Sequence, residues 1–539
     1  MSRGGISFHN PFAFWMGTLA LAVGVCAHFP MFIAAAPMRY QMVGMPVDGM
    51  MIAGMALILC GLIAAVYGLV PRHTQLKKLL THEDEPGISL VKADDAPLTA
   101  AHWRLLCVLI VALIVDIMKP ATLGFVVPGL ANEYGIPKET ASLLALTALV
   151  GTTVGSVVWG LMADVLGRRA AILVSSLLFV GTAVCGSMPT FEWNLFMCFL
   201  MGASAGGLLP IAFTLMAETV PSRHRGWLLV LLGGIGTTGG YLAASGCAAW
   251  LEPEFGWRIL WFLNLPTGLL LILLNRYLPE SPRFLVSRGR NQEARHVLER
   301  YGVTVVALEP AERNHAPGPQ GDTARLLFRP SIIAVTAGLV LCGAAWGLVN
   351  FGFLLWLPSN LRAMGMTGGA ADALLAKSAF LALPGALLVT WMYHKWSTYK
   401  TLALFAMIAA AALLGFSFLG SGAAQSSSWF SALTIVLLIS ISGVIAMLIP
   451  YATEIYPVQV RGTGSGIIAG SSKLGGIVAA GLGVTGFFAV LAGSAIGVAV
   501  PLAASAIVLA IKGVETRGRS LEEIESSTGA HPMSVTQHP

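Results

Sequence analysis

Charged residues are scarce in this chain. Only 11% of its 539 residues are Asp, Glu, Lys or Arg, whereas 56% are hydrophobic and the mean hydropathy is +0.77. A soluble globular domain carries about 25% charged residues, so this composition excludes a protein whose surface lies mostly in water. Long uncharged runs recur along the chain, and a run of about eighteen or more apolar residues is typical of a transmembrane helix. The sequence therefore indicates an all-α membrane protein with many spans.

Motifs for metals, cofactors and catalysis are also missing. The seven cysteines all lie in apolar runs and form no CxxC pair, which argues against a zinc site or a disulfide framework. There is no Walker A lysine loop, so an ATP-driven pump is not expected. GASAG (202–206) and GTGSGIIAG (462–470) fit hydrolase and nucleotide-loop patterns, but no strand precedes either of them. We expect no enzyme activity, no metal and no cofactor.

Two polar segments divide the apolar runs into groups. A charged linker at 71–104 separates an N-terminal two-helix hairpin (1–70) from the rest, and a basic cytoplasmic loop at 279–330 divides the remaining spans into six-helix bundles at 105–278 and 331–511, before a tail at 512–539. Helical periodicity at the start of the loop predicts short amphipathic helices. The fourteen predicted spans are 12–36, 48–70, 105–130, 140–163, 170–188, 195–216, 227–249, 258–278, 331–356, 372–393, 401–420, 429–450, 462–483 and 486–511.

The basic residues are distributed unevenly between the two sides of these spans. If both termini are cytoplasmic, 25 of the 32 Lys and Arg residues fall in inner segments and four in outer loops, while Lys119, Lys377 and Lys473 lie within spans. An excess of Lys and Arg in cytoplasmic loops is the usual topology of membrane proteins. The formal charge of +6 therefore reflects membrane topology, and we expect no nucleic-acid partner.

The first span raises a targeting question. Arg3, the apolar run and AAA at 34–36 are similar to a secretory signal with its cleavage site. However, the run is longer than a usual signal core and a second span follows closely, so we predict a retained hairpin with cleavage as the alternative. Docking of a partner is one suggestion for its role.

A nine-residue pattern, E-x-x-P-x-x-x-R-G, occurs twice. It reads ETVPSRHRG from Glu218 and EIYPVQVRG from Glu454, after the fourth and the tenth of the twelve later spans. Equivalent positions in two six-span halves indicate a duplication, and structural repeats of this kind are typical of secondary transporters. A carboxylate at a helix end can pair with arginines in one conformation and separate from them in another.

Three further motifs carry a family resemblance. GLMADVLGRR (160–169) resembles the loop motif G-x-x-x-D-x-x-G-R-R of the major facilitator superfamily, PESPRFL (279–285) resembles the sugar-porter signature, and VETRGRSLEEIE (514–525) resembles the tail of that subgroup. The resemblance covers roughly 100–525 and leaves out the hairpin. It implies two six-helix bundles that alternate access to a small-molecule substrate, in a monomer of the bacterial inner membrane.

The same resemblance implies a cytoplasmic gate of acids and arginines. The alternative is that the arginines only fix the topology. The second half's counterpart of the acidic loop, WMYHKWSTYK (391–400), lacks the acid and the Gly-Arg pair, so we expect an asymmetric gate. The implied gate residues are Asp164, Arg168, Arg169, Glu218, Arg225, Glu280, Arg283, Glu454 and Arg461.

Two ionisable residues lie near the middle of the third span. An intramembrane charge costs at least ~2.5–3.5 kcal/mol, so Asp116 and Lys119 are functional candidates. Their spacing places them on one helix face, and Pro120 leaves the carbonyl of residue 116 without its helical donor.

This span also resembles the first span of aromatic-acid/proton symporters, D-G-F-D-x-x-x-x-G-F-x-x-P, with Asp116, Gly124 and Pro128 matching. Lys119 replaces the second acid of that pattern, and Cys198 stands where related chains have an arginine. Our hypothesis is that Lys119 supplies the missing cation and that protonation of Asp116 couples transport to protons. A static ion pair is the alternative.

Lys473, again near mid-depth, predicts contact with an anionic substrate, with pairing to protein groups as the alternative. All seven glutamines lie outside the core of the twelve spans, which argues against a sugar. The sequence favours proton-coupled symport of a small organic metabolite, a carboxylate that could be aromatic. The alternatives are a porter of sugars or other neutral solutes, and a membrane sensor without flux. Further cavity candidates, for which packing is the alternative role, are Trp159, Tyr241, Trp346, Asn350, Phe353 and Trp356.

Overall fold

The computed structural model describes residues 9–69, 88–89, 97–288, 290–303, 306–307, 330–418, 427–456 and 461–517. Within these ranges the chain is helical, apart from one antiparallel pair of two-residue strands, β1 (Ile88–Ser89) and β2 (Val306–Ala307). In the described ranges, fourteen helical segments are long and apolar enough to cross a membrane. The predicted all-α architecture with about fourteen spans, two of them in an N-terminal hairpin, is confirmed.

The N-terminal hairpin is held together by close backbone packing. It consists of α1 (Pro11–Cys26), α2 (Phe29–Ala34) and α3 (Gly49–Leu69). A Cβ atom on Gly61 would lie 2.6 Å from the backbone nitrogen of Leu21, so only glycine permits this approach. Small residues at such crossings are the usual means by which membrane helices associate. The hairpin packs against the helix that begins at Arg168.

Contacts between residues divide the chain into two compact units. The first comprises Met1–Arg225, Gly239–Ala316 and Leu361–Ala376. Besides the hairpin, its described helices, including those that cross its boundary, are α4 (Ala100–Tyr134), α5 (Lys138–Ala141), α6 (Leu143–Leu166), α7 (Arg168–Gly181), α8 (Phe191–Ala205), α9 (Leu208–Thr219), α10 (Ser222–Phe255), α11 (Ile259–Phe262), α12 (Asn264–Leu274), α13 (Pro282–Ser287) and α14 (Asn291–Arg300). Short 3₁₀ turns follow α2 (Ala36–Met38), α7 (Thr182–Ser187) and α12 (Asn275–Tyr277).

The second unit comprises Gly226–Thr238, Pro317–Asn360 and Lys377–Pro539. Gly486, at φ +80°, makes the turn between its last two helices, which the apolar sequence GVTGFFAV marks only weakly. Its helices, two of which also cross the boundary, are α15 (Pro330–Leu348), α16 (Leu354–Ala363), α17 (Gly368–Lys395), α18 (Thr398–Phe418), α19 (Ser427–Ile455), α20 (Arg461–Val484) and α21 (Leu491–Lys512), with a π-helical turn at Val349–Phe353 and a 3₁₀ turn at Phe487–Ala489.

Several predicted spans are not continuous α-helices, and the first and the ninth are examples. The first, predicted at 12–36, is interrupted between Cys26 and Phe29, because Pro30 has no N–H to offer the carbonyl of Cys26. The ninth, predicted at 331–356, contains the π-helical turn at Val349–Phe353. Such turns are rare and often occur at functional sites.

The loop predicted at 279–330 begins as the periodicity predicts. Helices α13 and α14 are both short, and they bury Phe284, Leu285, Ala294, Val297 and Leu298. Most of the remaining loop lies outside the described residues, as do most of the predicted linker at 71–104 and much of the predicted tail.

Candidate functional site

The intramembrane acid and base form a buried pair. Lys119 Nζ lies 3.4 Å from Asp116 Oδ1, one turn apart on α4, and each residue is 4% exposed. Both side chains therefore point into the first unit instead of toward its outer surface. The pair as a whole is electrically neutral when both groups are charged, which lowers the cost of burying it.

A second helix completes the surroundings of Lys119. The ammonium group lies 3.6 Å from the centroid of the Phe179 ring on α7, a cation–π contact. Helix α10 also approaches α4 closely here, since a Cβ atom on Gly240 would lie 2.6 Å from the Cβ of Ile117. The pair thus lies where α4, α7 and α10 come together.

The loop between α6 and α7 brings four predicted gate residues together. The Glu280 carboxylate accepts a hydrogen bond from the backbone N–H of Arg168 at 2.8 Å. It therefore binds the N-terminus of α7, where the first N–H groups have no acceptor within the helix. The Arg168 guanidinium lies 3.4 Å from Glu218 and 3.6 Å from Asp164. Gly167 has φ +102°, and a Cβ atom there would collide with the Glu280 carboxylate. The glycine of the loop motif is therefore required both by its backbone conformation and by this contact.

The remaining gate residues of this unit have different surroundings. Arg169 is buried and donates to the carbonyl and the side-chain oxygen of Asn275, at 3.0 and 2.8 Å. Arg225 is partly buried at the start of α10. Burial raises the pKa of Glu280 above its usual value, although hydrogen bonds from the N–H groups of Ser281, Arg168 and Arg169 oppose this shift. The side chains of Arg283 and Arg461 lie outside those that the structure describes.

Glu454 in the second unit has partners that sequence reasoning missed. Its carboxylate accepts hydrogen bonds from the hydroxyl groups of Tyr393 (3.1 Å) and Thr516 (2.6 Å). Tyr393 lies in the 391–400 segment that lacks the acidic motif, and Thr516 lies in the tail motif. The position of Tyr393 in the counterpart loop was the available signal, but a tyrosine in an apolar helix is usually a packing residue.

The tail motif is anchored beside Glu454. Glu515 accepts hydrogen bonds from the backbone N–H and the hydroxyl of Thr398, at 3.1 and 2.9 Å. Burial opposes ionisation of Glu515, but hydrogen bonds from Ser397, Thr398 and Arg517 together lower its pKa. Tyr451 donates to the carbonyl of Val514 at 2.8 Å and accepts from its N–H at 2.9 Å. These contacts hold the start of the tail against α18 and α19.

The predicted aromatic candidates are mostly engaged in packing. The indole N–H of Trp159 donates to the Ala203 carbonyl at 2.5 Å, and that of Trp346 donates to the Ile441 carbonyl at 2.9 Å. Both indoles thereby join neighbouring helices. Phe353 and Trp356 are fully or almost fully buried, at 0% and 4% exposure. The substrate contact predicted for these four side chains stays a prediction.

Lys473 and Asn350 lie at one helix junction of the second unit. Both are partly buried. One turn after Lys473, a Cβ atom on Gly476 would lie 2.7 Å from the Phe351 ring, so α20 packs directly on the π-helical turn that carries Asn350. Phe351 in turn contacts Trp346, with ring centroids 5.7 Å apart. Lys473 and Asn350 thus lie on two elements that pack against each other, and their contact with a substrate stays a prediction.

An acid–base cluster that sequence reasoning did not identify lies in the first unit. Arg362, near the end of α16, binds both carboxylate oxygens of Glu252 at 3.0 Å and also Asp372 at 3.0 Å. Tyr241 is buried, and its hydroxyl group lies close enough to Asp372 for an electrostatic interaction with that side chain. Arg362 appeared to be an ordinary outer-loop cation, and its partners are about 110 and 10 residues away in sequence.

The described residues form a helical bundle of membrane spans that buries several charged side chains. Residues 105–480 match the Major Facilitator Superfamily, and the chain belongs to that family. The matched part excludes the N-terminal hairpin. Membership, together with relatives that are named transporters, identifies the protein as a transporter of this superfamily and not an enzyme.

Two named relatives cover most of the chain. The 4-hydroxybenzoate transporter PcaK of Pseudomonas aeruginosa is 31% identical over 399 residues, which are 72% of this chain and 87% of that protein. The niacin transporter NiaP of Acinetobacter baylyi is 27% identical over 453 residues, which are 80% and 98% of the two chains.

Solved structures agree on the fold. The proton:xylose symporter XylE bound to 6-bromo-6-deoxy-D-glucose superposes with a TM-score of 0.62 at 18% identity, covering 79% of this chain and 99% of that one. The inward-open form of XylE from E. coli gives a TM-score of 0.59, also at 18% identity, with the same two coverages. At this identity the similarity establishes the fold alone.

Proposed function

We propose that the protein is a proton-coupled symporter of a small aromatic carboxylate. The observation that carries the proposal is the buried contact of 3.4 Å between Asp116 and Lys119. Both side chains are 4% exposed, so a change in the charge of either is felt in a region of low dielectric constant. A group that takes up and releases one proton in such a place can shift the balance between two conformations of a carrier.

The charge of the pair explains how coupling works. With Asp116 ionised the pair is neutral, and Lys119 is held by the carboxylate and by the Phe179 ring. A proton on Asp116 removes the negative charge and leaves a buried cation. This state is stabilised by a conformation that gives Lys119 an anion, such as the carboxylate of a substrate, which links proton binding to substrate binding.

The substrate class is supported by two further observations. Lys473 supplies a cation on α20, the helix that packs through Gly476 on Phe351 of the π-helical turn, and Phe351 contacts Trp346. Relatives that cover most of the chain are named for 4-hydroxybenzoate and niacin, both of which are aromatic acids. An aromatic ring with one carboxylate fits such a combination of cation and rings.

The gate and the orientation belong to the same proposal. Both termini and the α6–α7 loop lie on the cytoplasmic side of the inner membrane, as the distribution of Lys and Arg favours. There the contacts of Arg168 with Glu218 and of Glu280 with the start of α7 form in one conformation and separate in another. In the second half, Glu454 with Tyr393 and Thr516 forms a gate of different chemistry.

The test is uptake by the purified protein in lipid vesicles. Radiolabelled 4-hydroxybenzoate and nicotinate are offered with an imposed proton gradient, acidic outside, and xylose serves as a neutral control. We expect one or both acids to accumulate, a protonophore to abolish the accumulation, and Lys473→Gln to reduce it more than Lys473→Arg. Accumulation that survives the protonophore, or that is seen for xylose alone, contradicts the proposal.

A further inference from the structure

A second buried acid–base cluster lies far along the chain from the Asp116 pair. Arg362 Nη2 donates to Glu252 and to Asp372, each at 3.0 Å, and Nη1 donates to the other oxygen of Glu252 at 3.0 Å. Because both acids bind the same nitrogen, their carboxyl groups lie close enough for one to donate a hydrogen bond to the other. The side chain of Asp372 is 0% exposed, that of Glu252 13% and that of Arg362 16%.

The formal charges of this cluster do not balance. One guanidinium faces two carboxylates, so full ionisation leaves one net negative charge beside a fully buried aspartate. Burying an uncompensated charge is unfavourable, and two carboxylates that share a site usually retain one proton between them. The Asp116–Lys119 pair differs because its two charges cancel.

Two buried polar atoms without a hydrogen-bond partner also indicate that one acid of this cluster holds a proton. Among the described residues, Asp372 Oδ1 and the Tyr241 hydroxyl have no hydrogen-bond partner although both atoms are buried. Tyr241 lies near enough to sense the charge of Asp372 and contacts the Phe125 ring at 6.1 Å between centroids. A buried carboxylate oxygen without a donor is costly, whereas a protonated carboxyl group supplies its own donor.

The backbone fixes this geometry. Helix α17 begins at Gly368, where a Cβ atom would lie 3.3 Å from Cζ of Arg362, and a Cβ atom on Gly369 would lie 3.4 Å from Pro253. Asp372 follows one turn later and faces the guanidinium. Leu361–Ala376 thereby packs as part of the first unit, although it joins two spans of the second half of the sequence.

We propose that Asp372 and Glu252, bridged by Arg362, form a proton-binding site on the outer side of the membrane that holds one shared proton while Leu361–Ala376 is docked. The proposal rests on the orientation and proton coupling given under the proposed function. The charged and titratable groups around Asp372 are Glu252 and Tyr241 of α10 and Arg362 of α16. Loss of the proton to the outside water leaves a buried negative charge, which favours separation of the segment from the rest of the first unit.

Infrared difference spectroscopy of the purified protein in lipid, titrated with pH, tests this site without any substrate. Besides the bands of other acids that take up a proton, such as Glu280, the wild type is expected to show the C=O stretching band of one protonated carboxylic acid at this site, which disappears as the pH is raised. Asp372→Asn and Glu252→Gln should both lose this band, the first because the acid is gone and the second because the remaining acid is neutralised by Arg362. Arg362→Gln should keep the band to higher pH, since the proton becomes the only means of neutralising either acid.

Controls separate this site from other acids and from the coupling pair. Glu192→Gln, at an exposed acid of α8, should leave the band unchanged, and Asp116→Asn should leave it unchanged even if the proposed coupling mechanism fails. The proposal is overturned if this band persists in both Asp372→Asn and Glu252→Gln, or if the wild type lacks it at every pH. Displacement of the proton by sodium at constant pH would show a cation site instead and would also overturn it.

Discussion

The ammonium group of Lys119 lies 3.6 Å from the centroid of the Phe179 ring, on a neighbouring helix. The same ammonium lies 3.4 Å from Asp116. The aromatic face and the carboxylate therefore share one cation, so that Lys119 keeps a stabilising neighbour when Asp116 is protonated. The proposed protonated state of the pair depends on this arrangement.

Replacing the Phe179 ring should lower the free energy of unfolding by more than the lost side-chain volume alone would. Phe179→Leu removes the aromatic face, and a desolvated cation–π contact contributes about 2 kcal/mol. Phe213→Leu, at another buried phenylalanine of the same unit, measures the cost of the lost volume. We expect the free energy of unfolding, measured with SDS in mixed micelles, to fall by about 2 kcal/mol more for Phe179→Leu. Equal losses in the two variants would show that the ring acts only by filling space.

Removing the ammonium group of Lys119 should leave the buried Asp116 carboxylate without the compensating charge of Lys119. Lys119→Met is expected to cost about 3–5 kcal/mol where Asp116 is ionised, because breaking one partner of a buried pair leaves an uncompensated charge. The loss should be smaller at low pH, where Asp116 takes up a proton. The double variant Asp116→Asn, Lys119→Met should recover most of the stability. If the double variant is as unstable as the single one, the two side chains are not energetically coupled.

The sequence predicts the parts of this structure that depend on local pattern. Apolar run length locates the spans, and the i,i+3 spacing of Asp116 and Lys119 brings them to one face. The contacts of Lys119 with Phe179 and of Glu454 with Tyr393 could not be predicted, because these residues meet only through tertiary packing. The Glu252–Arg362–Asp372 cluster was missed for the same reason, since hydropathy says nothing about which distant helix ends meet. The π-helical turn at Val349–Phe353 has no signature in apolar periodicity.

Glu280 should make stability depend on pH in a defined direction. Its pKa is raised by burial above the ordinary value of about 4.3 for glutamate, so the folded protein binds this proton more tightly than the unfolded chain does. The associated stability is present below the ordinary pKa and is lost as the pH rises through the raised pKa of the folded state. Thermal unfolding of the wild type and of Glu280→Gln, compared at several pH values, should show this loss in the wild type only. A variant with the same slope as the wild type would contradict it.

The loop glycine offers a matched pair of substitutions. Gly167→Ala should destabilise the α6–α7 loop by about 1–3 kcal/mol, because φ is +102° and the new Cβ would collide with the Glu280 carboxylate. Gly160→Ala, in the same motif, meets no atom within 4 Å and lies in helix α6, so it should be neutral or slightly stabilising. The free energies of unfolding of the two variants make the comparison. Similar free energies of unfolding for both variants would show that the backbone conformation of Gly167 does not require a glycine.

The measurement that tests proton coupling most directly is transport by Asp116→Asn in lipid vesicles, with gradient-driven uptake and substrate exchange measured separately. Asparagine preserves the shape of the side chain but cannot be charged. We predict that driven accumulation of the aromatic acid falls at least tenfold while exchange across the membrane without a proton gradient continues. Accumulation at the wild-type level, with the protonophore still abolishing it, would show that the proton is carried elsewhere and would contradict the account.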